Sequence, residues 1–222
     1  MILIEFGGRS QVIENQQGRE SRRTGLQTFK RRQILDAAKR LFVDQGLDGI
    51  TMRGIAREAG YSVGAAYAYY KSKDDIFKDL LAETITELGR HIKMSAPATG
   101  NPTKIITRTF AAFHGYFLSH PEEQRLCLSL FYGTSPPSDE DLTGRVLDRK
   151  LLGILGYLAN TLHQNSNLSA SEAQTETVDA IAHIAGILLL GSSGRLGIMG
   201  QTPEEMIDRY MDQMLLRVTR QK

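Results

Sequence analysis

The chain has 222 residues, 41% hydrophobic and 23% charged, which is enough apolar material for one larger or two smaller packed domains. Its longest nearly uninterrupted apolar run, residues 180–190 with His183 inside it, falls short of the ~20 residues a bilayer span requires, so no membrane partner is expected. The net charge of +2 hides an asymmetry: residues 19–73 carry twelve Lys or Arg against five Asp or Glu, whereas residues 74–222 carry fourteen against eighteen. The basic third therefore needs an anionic partner more than the acidic remainder does.

At the start, Ile2, Leu3 and Ile4 are cut off by Glu5 before they make the apolar core of a secretory signal, so the expected compartment is the cytoplasm. Residues 1–27 mix Gly, Gln, Ser and Arg without sustained periodicity and read as a mobile basic tail whose Arg19, Arg22 and Arg23 can meet phosphates; an unstructured leader is an equal reading. From residue 28, Ile34, Leu35, Ala38, Leu41 and Phe42 recur at helical spacing and Gly46 supplies the stop. Thr51 then caps a short helix with Met52, Ile55, Ala56 and Ala59 inward, ended by Gly60, and Ser62 caps a third directly afterwards. The intervening Gly60, Tyr61 and Ser62 have the length and composition of a helix-turn-helix turn. A fourth helix, over 73–94, follows Ser72 and is long enough to connect two domains.

A break rich in Ala, Pro, Gly and Asn at 95–102 separates this connecting helix from further helical patterns. One carries Ile105, Ile106, Phe110, Phe113 and Phe117, and another runs over 121–132. Residues 133–138 read as a loop. A third pattern runs from 139 through Leu147, Leu151, Ile154, Leu158 and Leu162. Two more close the chain: the first starts at Ser169 or Ser171, and the second carries Pro203 in its first turn. The fold class is all-α: an N-terminal three-helix helix-turn-helix domain, joined by a connecting helix to a C-terminal helical domain. The boundaries are 28–75 and 76–222, with the connecting helix counted in the second.

Residues 34–80, ILDAAKRLFVDQGLDGITMRGIAREAGYSVGAAYAYYKSKDDIFKDL, resemble the DNA-binding domain of the TetR regulator family in order and spacing. The matching features are the ILDAA opening, LF followed by glycine, a Thr before R-x-I-A, an AG turn with Ser, x-G-x-x-Y, and an aromatic-x-SK entry into the fourth helix. The resemblance implies a dimeric transcriptional repressor of operator DNA under the control of a small molecule, with the C-terminal helices as its ligand-binding and dimerisation domain. The chain departs from the family at Ala65 and Ala66, where Thr or Ser and then Leu are usual, and at Ala68, where an aromatic or His is common. Direct base readout is then sparse, because alanine offers only a methyl contact to thymine.

Small residues at Gly64 and Ala65, between Ser62, Val63 and the tyrosines, let the helix approach the major-groove floor; Ala66 shares a side with Val63 and Tyr70 and reads as core. Thr51 and Lys73 stand at helix starts, where a hydroxyl and an ammonium complete phosphate clamps. Arg53 reaches a phosphate or a guanine edge, or else lies on a solvated face. Arg31, on an outer face of the first helix, joins the DNA set. By resemblance, Tyr67 and Tyr69 are phosphate-contacting aromatics, with Tyr70 in the core.

In the C-terminal domain, Phe113, His114, Phe117, Phe131, Tyr157 and His183 form a candidate set for an apolar or aromatic effector, each with a core reading beside it. The helix over 171–193 combines large apolar residues with Ala182, Ala185, Gly186 and Ser192 and is either a dimer seam or a buried helix. The family's four-helix interface favours the seam, with Ile181, Ala185, Leu188, Leu189, Met206 and Tyr210 in it. The single Cys127 forms no internal disulfide and suggests no metal framework, and no cofactor is expected. The chain lacks G-x-S-x-G, P-loop and H-E-x-x-H motifs, so an enzyme is the weaker reading. A second alternative is a DNA-bound protein-interaction module without a small-molecule effector.

Overall fold

The computed structural model describes residues 7–219 apart from 48, 98 and 134–141, with backbone only for 7–21, 129–133 and 142. Ten helices and no strand occur among the described residues: α1 (Gly7–Gln45), α2 (Met52–Glu58), α3 (Val63–Tyr67), α4 (Lys73–Ser95), α5 (Pro102–Ser119), α6 (Pro121–Gly133), α7 (Leu142–Gln164), α8 (Ala170–Ser192), α9 (Arg195–Ile198) and α10 (Pro203–Thr219). They fall into two compact units that divide after Leu80, inside α4. The sequence boundary at 75/76 is therefore five residues early, because Ile76, Phe77 and Leu80 of α4 are buried in the first unit's core.

In the first unit, Ile34, Leu35, Ala37, Ala38 and Phe42 of α1 are buried together with Ile55 and Ala56 of α2 and Ala66 of α3. Phe42 meets Phe77 of α4 edge to face, with centroids 6.2 Å apart. The structure carries α1 back to Gly7, so residues 7–27, expected as a non-periodic tail, continue the helix. Weak amphipathicity hid it: Leu26 and Phe29 are more than half exposed, so no apolar stripe marks this stretch in the sequence.

In the second unit the buried positions follow helical spacing closely. Ala173, Thr177, Ala180, Ile184 and Ile187 line one side of α8, and Ile207, Met211, Met214 and Val218 line one side of α10. Ser169 starts α8 in a full capping box, accepting from the Glu172 N–H at 3.3 Å while the Glu172 carboxylate accepts from the Ser169 N–H at 2.8 Å. Gln124 of α6 donates to the buried carbonyl of Leu188 at 2.8 Å, tying α6 to α8. Short α9, unforeseen from sequence, buries Leu196. The loop expected over 133–138 lies almost wholly outside the described residues; Gly133 itself ends α6.

Candidate nucleic-acid interface and ligand groove

The turn between α2 and α3 is built by backbone hydrogen bonds around one glycine. Gly60 sits at φ +76°, its N–H donates to Arg57 O at 3.1 Å, and the Tyr61 N–H reaches back to Ala56 O at 2.8 Å. This pairing satisfies the last carbonyls of α2 and needs the left-handed conformation that glycine adopts at least cost. Tyr61 also donates its hydroxyl to Gln33 Oε1 of α1. Thr51 and Ser62 cap α2 and α3, accepting from the Gly54 N–H at 3.1 Å and the Ala65 N–H at 3.2 Å.

With its ends fixed, α3 buries Ala66 completely and leaves Val63, Gly64 and Tyr67 exposed. A Cβ added at Gly64 would meet nothing within 4 Å, so the outer face here is low and open. Tyr67 is half exposed, and Tyr69, just beyond the helix, is partly so. Arg53 lies exposed on α2 and Lys71 on the loop before α4, and no ion pair engages either among the described residues. Sequence reasoning passed over Lys71; its signal was the basic K-S-K run closing the motif.

Arg31 is committed elsewhere. Its guanidinium donates to Tyr69 O at 3.1 Å and to Asp79 Oδ2 at 2.5 Å, and it lies 4.3 Å from the centroid of the Tyr70 ring. The Tyr70 hydroxyl donates to the same carboxylate at 3.0 Å. Burial opposes the charge on Arg31, but the Asp79 hydrogen bond and charge outweigh it and hold the guanidinium above its ordinary pKa. Burial and the Asp79 charge push the Tyr70 phenol well above its usual range. Arg31 thus clamps the exit of α3 to α1 and α4. Lys73 also has an internal partner, the carbonyl of Ile50 at 3.3 Å, which leaves two ammonium protons for another acceptor. Ser72 caps α4 by accepting from the Asp75 N–H at 3.1 Å.

The second unit does not gather the expected effector set. Phe113 and Phe117 are buried and stack edge to face on each other, with Phe117 also against Tyr116; their apolar periodicity is that of a filled core. His114 is largely buried, its Nδ1 without a hydrogen bond, and burial holds the imidazole below its ordinary pKa against the opposing charges of Asp208 and Glu204. His183 is exposed and stacks on Tyr210 of α10, with centroids 4.1 Å apart. The Phe131 side chain lies outside the described residues. Tyr157 lines a groove of about 510 Å³ between α4 and α7 whose other walls include Ile85, Gly89, Lys93, Lys150 and Ile154; Phe113, His114, Phe117 and His183 do not line it.

Among the residues expected at a dimer seam, Leu188 is buried within the subunit, 4% exposed. Ile181, Ala185, Leu189, Met206 and Tyr210 are partly exposed. On the same two helices, Val178, Leu190 and Leu216 leave large apolar surfaces uncovered. Cys127 is partly buried on α6, and burial pushes its thiol up to about 12. No group of three or more potential metal ligands occurs among the described residues, and no described helix is long and apolar enough to cross a membrane.

A family model described as bacterial regulatory proteins, tetR family, matches residues 34–80, the stretch that builds the helix-turn-helix. Among similar proteins, the HTH-type transcriptional regulator BetI 1 of Chromohalobacter salexigens is 25% identical over 213 residues, covering 88% of this chain and 95% of the relative. The HTH-type transcriptional regulator AcrR of Shigella flexneri is 32% identical over 77 residues, 34% of this chain and 36% of the relative. Among solved structures, Thermus thermophilus FadR, a TetR family transcriptional repressor in complex with lauroyl-CoA, superposes with a TM-score of 0.61 at 20% identity. That match covers 86% of this chain and 97% of the other. A transcriptional regulator from Rhodococcus sp. Rha1 reaches a TM-score of 0.67 at 18% identity, over 86% and 99%.

Proposed function

Because the chain belongs to the TetR family and is a DNA-binding transcriptional regulator, we propose that it represses from a near-palindromic operator and releases it when a small molecule binds the second unit. The observation that carries this reading is the open outer face of α3, capped and glycine-hinged against α2, with Tyr67 and the cations Arg53 and Lys71 exposed around it. Gly64 and Ala65 let the helix axis approach base edges, while the phenols of Tyr67 and Tyr69, the Thr51 hydroxyl and the Lys73 ammonium serve the phosphates on either side. Ser62 and Val63 enter the groove with the first turn of α3.

A pair of such heads requires two copies of the chain. The uncovered apolar strip of α8 and α10, around Ile181, Ala185, Leu189, Met206 and Tyr210, is the proposed seam, and its two-fold symmetry matches a palindromic site. Ligand control then needs only that the effector bind the DNA-competent and DNA-released arrangements with different affinities. Helix α4 is the covalent connection, since its first turns belong to the head and the rest to the second unit. A relative structure holding lauroyl-CoA supports an effector-responsive regulator over a DNA-bound module that only recruits protein.

Selection of bound duplexes from a random DNA pool, repeated in the presence of a metabolite library, tests the proposal. Enrichment of an inverted repeat that a library component abolishes is the expected result. Recovery of no preferred duplex would overturn it.

A further inference from the structure

The groove between α4 and α7 is apolar along its walls and cationic at its rim. Ile154, Tyr157 and Met94 supply the reachable apolar surface, with Ile85 and Ile92 almost fully buried behind them. The two helices come close at Gly89, where an added Cβ would lie 3.5 Å from Ile154 Cγ1. Across the groove, at Gly153, an added Cβ would meet nothing within 4 Å, so this glycine leaves a gap in the wall instead of permitting close packing.

Three cations line the groove. The charge of Arg90 is matched by Glu87 at 2.7 Å. Among the described residues the other two have only neutral partners: Lys150 donates to Thr86 Oγ1 at 2.6 Å, and Lys93 lies 5.8 Å from the centroid of the Tyr157 ring. They mark the two ends of the groove, because Thr86 and Lys93 on α4, like Lys150 and Tyr157 on α7, stand roughly 10 Å apart along the helix axis, and the trough between them has a size that suits a small ligand. An anion bound there gains a charge-assisted hydrogen bond from the ammonium group that its charged end reaches, while a neutral or cationic ligand gains none.

We infer that this groove takes a small organic anion with an apolar body, its carboxylate reaching Lys150 at one end or Lys93 at the other and its hydrocarbon lying along Ile154 and Tyr157 past Gly153. The identification of that molecule as the effector rests on the regulatory reading above; its binding does not. This chemistry also refines the apolar or aromatic ligand expected from sequence, since the apolar body needs a charged end.

Calorimetric titration of the full chain, without DNA, separates the two questions. The probes are decanoate, octanoate and 1-naphthoate, with 1-decanol and decyltrimethylammonium as neutral and cationic counterparts. At least one carboxylate should bind tightest. Of Lys93→Met and Lys150→Met, the one that removes the anchoring ammonium should weaken it about tenfold and leave decanol unchanged, and Gly153→Leu, which fills open space, should abolish binding of both with the thermal midpoint retained. Equal binding of decanol and decanoate, undiminished carboxylate binding by both lysine variants, or no binding of any of the three carboxylates would overturn the inference. The same carboxylate added to the operator complex then tests regulation separately: a ligand that binds by these criteria yet leaves DNA bound refutes its role as effector and leaves the site standing.

Discussion

At the level of single residues, charge alone does not identify a DNA contact; what matters is whether the charge is already engaged. Arg31 and Arg53 look alike in sequence, both basic residues on helices of the head. Arg31, however, is held by Asp79, Tyr69 O and the Tyr70 ring, whereas Arg53 is exposed. Arg31→Ala should lower stability by about 1 kcal/mol, the scale of a partly solvated charge-assisted contact, and should leave the salt dependence of DNA binding unchanged. Lys73→Ala should weaken all duplexes alike and reduce the slope of log affinity against log salt by about 1. Thermal melts alongside salt titrations separate the two behaviours. His114 offers a pH test. Its imidazole, held below the ordinary value by burial, stays neutral in the fold, while the unfolded chain takes a proton below about pH 6.5. Stability should therefore fall as the pH drops from about 6.5 towards the folded value, and His114→Phe should flatten that decline in the melting temperature.

Among the elements, those with strong periodicity were legible in advance. The caps at Thr51, Ser62 and Ser169 and the stops at Gly46 and Gly60 stand where the residue types placed them, because each satisfies backbone groups locally. What stayed hidden depended on tertiary context. The run over residues 7–27 has no apolar stripe, so its helical state could not be read from pattern, and α9 is too short to show a period. Of the expected ligand set, Phe113 and Phe117, at i and i+4 on one helix, stack on each other and are buried, a spacing that fits core and pocket wall alike. The groove between α4 and α7 has Gly153 on its wall, a residue read as a helix position without remark. Gly60→Ala tests the turn itself. A Cβ at φ +76° should cost about 1 kcal/mol, visible as a lower denaturant midpoint, and should weaken DNA binding beyond that loss if the turn sets the angle of α3.

For the molecule as a whole, a basic head and an acidic body are joined through α4. The open strip on α8 and α10 gives assembly a specific test. Gly186 is exposed, and an added Cβ there would meet nothing within 4 Å, so Gly186→Arg should fold normally yet elute as a monomer in light-scattering chromatography. Because two heads on one operator bind as a linked pair, that monomer should lose at least a hundredfold in operator affinity; a dimer that persists would move the seam elsewhere. The most direct measurement of the central claim is the affinity of the purified chain for its selected duplex across a series of salt concentrations, against a scrambled duplex of equal length. The account predicts that the selected site binds at least a thousandfold more tightly and that both affinities fall steeply as salt rises. Equal affinity for the two duplexes, or no binding of either in dilute buffer, would contradict it.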